Sequence, residues 1–488
     1  MFDLLPRPII AEENDGEFIF SDKVYFIVDK KFSNIEFLEL AKTLWSNFTA
    51  GKSVLEIEKR SDIKGKALIS LSDEAVITEA KTDFEYEIDC NENGISILYS
   101  AENGLIHAFF TILQIVSPFR RKTKDFSIPF VEIKDRPALK MRGMHLCVFH
   151  GVPISLIKKF VMLCGFLKCS HIILEFWGSL KYDSLSVLGW PDAYEKDDFN
   201  EVISIGKAMG MEFIPFFNHL GHAPQSRAKT GKHSVLNQAP EYEEWFKLGG
   251  WTWDVENEEV NELHHNIRNE LSEMFREGEF VHIGCDEFTD HFRLFGDNDE
   301  QESKAFVNFL NNTTEDVRKS LNRKTIMWGE MFLDKKDFAW PFCGNTNDDF
   351  CYNPDGLTDD IYIVDWQYNI KEDKPESVEY FLKFKDPSKL ILAPWTGRPG
   401  IKGRCNLAKK YGCFGVLGTT WNTVYNEISD MLYTAICMWE EDDSPYEDDY
   451  SFGVYTKIMV LNYLRKLLPE TEYDKAGVLK DDLFDVKM

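Results

Sequence analysis

Two rhythms of apolar and polar residues divide the chain. Up to about residue 135, "KVYFIVD", "ALISLS", "DFEYEIDC" and "GISILYS" alternate with period two between polar breaks, the pattern of half-buried strands. Ile35 to Phe48 and Gly104 to Val116 repeat at helical spacing instead. Together they predict an α+β unit over residues 1–135. "IPFVEIKDRPALK" leads out of it, its prolines favouring extended chain.

From Leu139 the rhythm changes to strand, helix, strand, helix. The predicted strands are "LKMRGMHLCV", "HIILEF", "EFIPFF", "FVHIGC", "TIMW", "IYIVDW", "LILAPW" and "GVLGTTW". Helical patterns follow nearly all of them: Ile154–Lys168, Asp198–Met209, Val260–Phe275, Glu302–Leu321, Ser377–Phe384, Gly403–Tyr411 and Asp430–Trp439. Eight strands over about 300 residues predict a closed (β/α)8 TIM barrel across residues 136–442. A doubly wound open sheet would carry a glycine-rich phosphate turn after its first strand, and "HLCVFHGVP" is not one. Residues 443–488 begin acidic and then turn helical in "YTKIMVLNYLRKLL", which predicts a short helical C-terminal extension.

In such a barrel the chemistry belongs at the C-terminal ends of the strands. Those ends carry Cys147 and His150, Glu175 and Trp177, Asn218 to His222, Asp286 and Glu287, Trp328 and Glu330, Asp365 and Trp366, Trp395, and Trp421. Flat rings that stack on sugar faces, with carboxylates for hydroxyls and protons, are what a carbohydrate site requires. In "EFVHIGCDEF", alternation puts Val281, Ile283 and Cys285 toward the helices and His282, Gly284 and Asp286 toward the lumen. Glu287 then falls at the rim. Two adjacent carboxylates cannot both ionise freely, so one is expected to have a raised pKa and to serve as an acid. The dipeptide alone carries no weight: 82 Asp and Glu in 488 residues produce roughly a dozen adjacent acidic pairs by chance.

Composition narrows the partners. A net charge of −27 with a pI near 4.9 argues against nucleic acid and anionic membrane surfaces, which need a basic face. No run of 18 apolar residues is present to span a membrane. The first residues lack a basic stretch followed by a long apolar one, and the ten cysteines include no C-x-x-C pair. A reducing cytoplasm is therefore expected, with neither a zinc ribbon nor a disulfide scaffold. His219 and His222 are spaced like a metal pair, but no third ligand has suitable spacing. The expectation is no metal and no cofactor.

These residues also carry a family resemblance. "HIGCDE" resembles the H-x-G-[GAC]-D-E signature of glycoside hydrolase family 20, the β-N-acetylhexosaminidases. "GLIHAFFTILQI", "IPFVEIKDRPALKMRGM", "IPFFNHLGHA", "IMWGEM", "VDWQ", "LAPW" and "GTTW" resemble its accessory domain, barrel entry, third strand and later tryptophan strands. Within the family, "IILEFWGSLKYD" and "HIGCDE" are most similar to the hexosaminidase D-like branch. The resemblance implies a general acid and base at Glu287. It makes Asp286 the holder of a 2-acetamido N–H, and the substrate's own carbonyl oxygen the nucleophile that closes an oxazolinium ring. Trp328, Trp366 and Trp421 would wall the pocket, and His222 matches the family's histidine after strand three. The implied function is exo-acting release of terminal β-linked GlcNAc or GalNAc, with a small carbohydrate as partner and a homodimer left open.

The chain departs from the family's pattern where hydroxyls are gripped. Cys147 and His150 stand where Asp and Arg are usual, and Glu175 and Trp177 where an acidic pair is usual. Thr396 follows Trp395 in place of a Tyr that bonds the acetamido carbonyl, which leaves Tyr425 or Tyr368 as substitutes. His150, Glu175, Trp395 and Tyr425 thus join the candidate substrate contacts. Two other functions stay open at this point: a catalytically altered sugar-binding protein, and a glycosidase acting on a non-acetylated β-hexoside.

Overall fold

The computed structural model describes residues 4–63, 65–71, 82–116, 127–223, 232–233, 235–247, 250–288, 295–296, 298–334, 350–368, 375–422, 424–441 and 462–468. The first unit contains β1 (Ile10–Ile19), β2 (Lys23–Asp29), α1 (Ile35–Phe48), β3 (Val54–Arg60), β4 (Lys66–Ser70), β5 (Tyr86–Asn91), β6 (Gly94–Tyr99), α2 (Glu102–Val116) and β7 (Ser127–Asp135). The strands form one sheet in the order β1-β7-β5-β6-β4-β2-β3. All neighbours are antiparallel except β2 and β3. Asn34 opens α1 by accepting from the Phe37 amide, and Phe37, Ala41, Leu44, Trp45 and Phe48 form its buried stripe. α2 is buried on every side because it lies between that sheet and the barrel: Phe109 stacks on Phe26 at 5.4 Å, while Phe110 meets Phe166 of the barrel at 5.6 Å. At the junction Asp135 is fully buried and paired with Lys168 at 2.9 Å. Tyr86 Oη and Trp439 Nε1 also donate to it, so the buried charge is fully partnered.

The second sheet begins at β8 (Met141–Val148). It continues through α3 (Ile154–Phe166), β9 (His171–Phe176), α4 (Asn200–Ala208), β10 (Glu212–Phe213), α5 (Val235–Gln238), α6 (Glu258–Phe275), β11 (Phe280–His282) and α7 (Asp299–Leu321). It ends with β12 (Lys324–Trp328), β13 (Ile361–Asp365), α8 (Glu376–Phe381), β14 (Leu390–Leu392), α9 (Arg398–Tyr411), β15 (Gly415–Gly418) and α10 (Val424–Trp439). The eight strands are parallel, in the order β10-β9-β8-β15-β14-β13-β12-β11. A parallel bridge between Phe216 and His282 joins the two ends, with the His282 amide donating to Pro215 O at 2.8 Å and the Phe217 amide to His282 O at 3.2 Å. The sheet thus curls into a TIM barrel. Its interior is packed rather than hollow: Phe280, Tyr362 and Phe414 meet edge to face with centroids 5.1–5.6 Å apart, and Met141, Ile173 and Ile326 fill the same cluster.

Helix starts at Ile35 and Ile154 agree with the sequence expectation, and the others differ by one to six residues. α7 begins at Asp299 because Asn298 caps it, and α9 begins at Arg398 because Pro399 suits a first turn. The third strand shrinks to Glu212–Phe213. The expected C-terminal extension lies outside the described residues except for 462–468, of which 462–467 are helical.

Candidate active site

The loop after β11 departs from strand geometry at once. Gly284, Cys285 and Glu287 have φ of 66°, 68° and 46°. Left-handed backbone costs about 1–3 kcal/mol at each non-glycine position, so the loop persists only because its surroundings hold it. Two hydrogen bonds grip the Glu287 backbone: its N–H donates to Glu330 Oε1 at 2.8 Å, and its carbonyl accepts from Trp251 Nε1 at 2.6 Å. Two glycines supply room. A Cβ on Gly284 would fall 1.7 Å from Asn218 Oδ1, and one on Gly221 would fall 2.2 Å from the Asp286 carbonyl. The alternation holds as far as it goes: Val281, Ile283 and Cys285 pack on the helix side, and His282 faces Phe216 and Trp328 in the lumen. Beyond His282 the left-handed turns, not alternation, bring Asp286 to the opening.

There Asp286 and Glu287 line a cavity of about 240 Å³ at the C-terminal mouth of the barrel. Trp177, Trp328, Trp366, Tyr368, Trp395, Thr396 and Trp421 form its walls, and His222 and Lys232 complete it. His222 Nε2 stands 3.3 Å from Asp286 Oδ2 and 3.1 Å from Glu287 Oε2. Asp286 is buried, and its Oδ1 has no hydrogen-bond partner among the described residues. The tryptophans are fixed through their indole nitrogens: Trp366 donates to Glu330 Oε2 at 2.6 Å, Trp395 to Glu427 Oε1 at 2.6 Å, and Trp421 to Tyr368 Oη at 2.6 Å.

Of the adjacent pair, Asp286 is the carboxyl that the site holds ionised. Burial opposes ionisation of Asp286, but Lys232 and His222 outweigh it and hold the carboxyl well below the usual range. The carboxyl of this site that burial and the Asp286 charge push well up is Glu330's. His222 is disfavoured as a cation by burial, yet Asp286 and Glu287 raise its pKa to about 9. The imidazolium therefore adds stability that is complete below the unfolded value of about 6.5 and is lost as pH rises through about 9. The difference in Tm between the wild type and His222→Gln should be largest at or below pH 6.5 and should shrink steadily to pH 9.5. A constant difference across that range would contradict the protonated assignment.

Not every candidate reaches the cavity. His150 lies in the turn beyond β8, half exposed, and pairs with Asp192 at 3.0 Å; it does not line the site, because the chain has already turned outward there. Glu175 is buried behind the wall, joined to His145 Nε2 at 2.6 Å and to Lys232 Nζ at 2.5 Å. The side chain of Tyr425 lies outside the described residues, whereas Tyr368 is in the cavity. His219 points away, with its ring bonded to Phe217 O and Arg268. His145, Cys147 and Glu175 converge closely enough for a metal ion. Lys232 already brings a positive charge against Glu175, however, and Cys147 donates to Thr420 O at 2.9 Å. The trio fits a hydrogen-bonded cluster better than a metal centre. Sequence reasoning missed Lys232, Trp251 and Glu427. The first two come from the long stretch between β10 and α6, and the third from the start of α10, so none sits at a strand end.

Comparison with known proteins agrees with this arrangement. Residues 131–376, about half of the chain, match the catalytic domain of glycosyl hydrolase family 20. Beta-hexosaminidase A of Caenorhabditis briggsae is 22% identical over 333 residues, covering 58% of this chain and 58% of that protein. A beta-hexosaminidase of Porphyromonas gingivalis is 23% identical over 311 residues, covering 58% and 39%. The matched region thus spans less than two thirds of these curated relatives. Among solved structures, the exo β-N-acetylglucosaminidase of Vibrio harveyi superposes with a TM-score of 0.66 at 15% identity, over 95% of this chain and 77% of that one. The β-N-acetylhexosaminidase of Bacteroides fragilis does so at 0.66 and 16%, over 94% and 95%. With the signature motif lodged at the barrel mouth and half the chain matched to the catalytic domain, this protein belongs to glycosyl hydrolase family 20.

Proposed function

We propose that the protein is an exo-acting β-N-acetylhexosaminidase that releases terminal β-linked GlcNAc or GalNAc by substrate-assisted, retaining catalysis. The carrying observation is the Asp286–Glu287 pair, bridged by His222, at the edge of a tryptophan-walled cavity of about 240 Å³. By liquid volume that is room for roughly eight waters, the scale of one sugar ring rather than a chain.

In this reading Glu287, about one third exposed, gives its proton to the glycosidic oxygen as the bond to C1 breaks. The substrate's acetamido carbonyl oxygen attacks C1 and closes an oxazolinium ring, the substrate-assisted variant of the retaining mechanism. Asp286, held ionised by Lys232 and His222, accepts the acetamido N–H on its unpartnered Oδ1 and stabilises the positive charge. Water then adds to C1, and Glu287 takes its proton back. The aglycone leaves as an alcohol and the sugar keeps its β configuration.

Tyr368 supplies the contact that Thr396 cannot. Its oxygen accepts from Trp421 Nε1 at 2.6 Å, while the Thr419 hydroxyl donates to Pro394 O at 3.0 Å; the Tyr368 proton is then the one offered to the acetamido carbonyl. Tyr368→Phe should lower kcat/KM on aryl N-acetyl-β-hexosaminides by roughly tenfold or more. The reading as a whole is tested by turnover on the aryl β-glycosides of GlcNAc, GalNAc, glucose and galactose, with a thiazoline mimic of the oxazolinium as inhibitor. Turnover confined to the non-acetylated sugars, or indifference to the thiazoline, would overturn it.

A further inference from the structure

We infer that Lys232 is the sugar-hydroxyl donor of this site and the residue that sets its selectivity for the ring. The inference rests on the glycosidase reading above but concerns a residue outside the Asp286–Glu287 chemistry. Its side chain is 2% exposed and lines the cavity. Few groups are more costly to bury than an ammonium, and three features keep this one charged. Glu175 Oε1 lies 2.5 Å away, the Asp286 charge acts on it from the other side, and the rings of Trp177, Trp421 and Phe216 stand 5.1, 5.3 and 5.5 Å from Nζ. Its backbone is fixed as well, since the Lys232 amide donates to His222 O at 2.8 Å and the His233 amide to Ala223 O at 3.0 Å.

The ammonium is not consumed by its own ion pair. Glu175 Oε1, at 2.5 Å, occupies one side of Nζ, and among the described residues no other oxygen accepts a hydrogen bond from it. An ammonium carries three donors and no acceptor. Here they are caged by aromatic faces that accept charge but offer no oxygen. One donor is turned to Glu175, so acceptors for the donors that remain come from what enters the cavity, and the acceptors on a pyranose are hydroxyls. Glu175 is the positioning partner: its Oε2 is tied to His145 Nε2 at 2.6 Å, and its own pKa, opposed by burial but pulled down by Lys232 and His145, falls to about 2. The pair is electrically neutral as a unit, which suits a neutral polyol better than a sulfated or carboxylated sugar.

The experiment crosses Lys232→Met with single-hydroxyl deletion in the substrate. In the full-length protein, kcat/KM is measured for an aryl N-acetyl-β-hexosaminide and its 3-, 4- and 6-deoxy forms. The wild type should lose about 10²-fold on one of the deoxy forms. K232M should lose a similar factor on the parent and show no further loss on that same deoxy form. Equal penalties for every deoxy sugar in both proteins would overturn the inference, as would a wild type indifferent to all three deletions. Should K232M not fold with Glu175 left uncompensated, K232M/E175Q keeps the buried site neutral and is read the same way. If the wild type hydrolyses no N-acetylhexosaminide, the glycosidase reading fails by itself. Calorimetric binding of GlcNAc, GalNAc and their deoxy forms to the wild type and K232M then tests the hydroxyl contact separately.

Discussion

Glu287→Gln is expected to lower kcat on an aryl N-acetyl-β-hexosaminide by about 10²–10⁴-fold, the usual worth of a positioned proton donor. The fold should be untouched, because glutamine keeps the shape of the side chain. The two bonds that hold residue 287, to Glu330 and from Trp251, are made by its backbone. The penalty should fall as the leaving group becomes more acidic, since a dinitrophenolate departs without help. Asp286→Asn should behave differently. It keeps the shape but removes the charge that balances Lys232 and His222, so its loss should not depend on the leaving group. Kinetics on a series of aryl leaving groups separates the two. A flat, undiminished rate for Glu287→Gln across that series would contradict its assignment as the acid.

The second large effect comes from a residue with no chemistry. Gly221→Ala would place a methyl 2.2 Å from the Asp286 carbonyl and 3.0 Å from both Glu287 C and Phe288 N. All three are backbone atoms and cannot rotate aside. Overpacking of this kind costs about 1–3 kcal/mol, and the least supported partner yields, which here is the strained loop of Gly284 to Glu287. A shift of 1 Å at a reacting group is worth about 10²-fold in rate, so Gly221→Ala should lose at least that in kcat with a modest fall in Tm. Gly412→Ala is the control. It lies at the C-cap of α9, its φ is 67°, and no atom stands within 4 Å of the added Cβ. It should show the backbone penalty in Tm, about 1–2 kcal/mol, with kcat unchanged.

Those two residues mark what the sequence could and could not disclose. The barrel strands were legible because each is a short apolar run between polar breaks, and the tryptophans because they end such runs. The acidic pair was legible once the strand count and the motif resemblance placed it. Lys232 was not, since it sits in a loop some twenty residues after β10 and nothing local distinguishes it from other lysines. Glu427 was hidden for a similar reason. It appears as one acid at the start of a helix, yet it binds Trp395 Nε1, the Trp421 amide and the Asn422 side chain at 2.6, 3.0 and 3.0 Å. His150 misled because a position just past a strand end was read as inward, whereas the turn at Gly151, with φ of 78°, carries the chain outward. The depressed Asp286 carboxyl was not legible either, because its cause, Lys232 and His222, lies on other segments of the chain.

The barrel closes between Phe216 and His282 through a single bridge and three amide bonds, the third from the His219 amide to Ile283 O at 3.0 Å, rather than a full ladder. That seam lies directly beneath the reacting groups. The same chain that completes the ring on one side, Pro215 to His222, carries the histidine that bridges the two acids. The chain on the other side carries the acids themselves. Parting the seam by local unfolding would therefore separate the His222 imidazolium from the Asp286 and Glu287 carboxyls in one motion. Under the proposed function, a sugar that contacts both edges would resist that parting. Closing the ring and assembling the site thus draw on the same two segments.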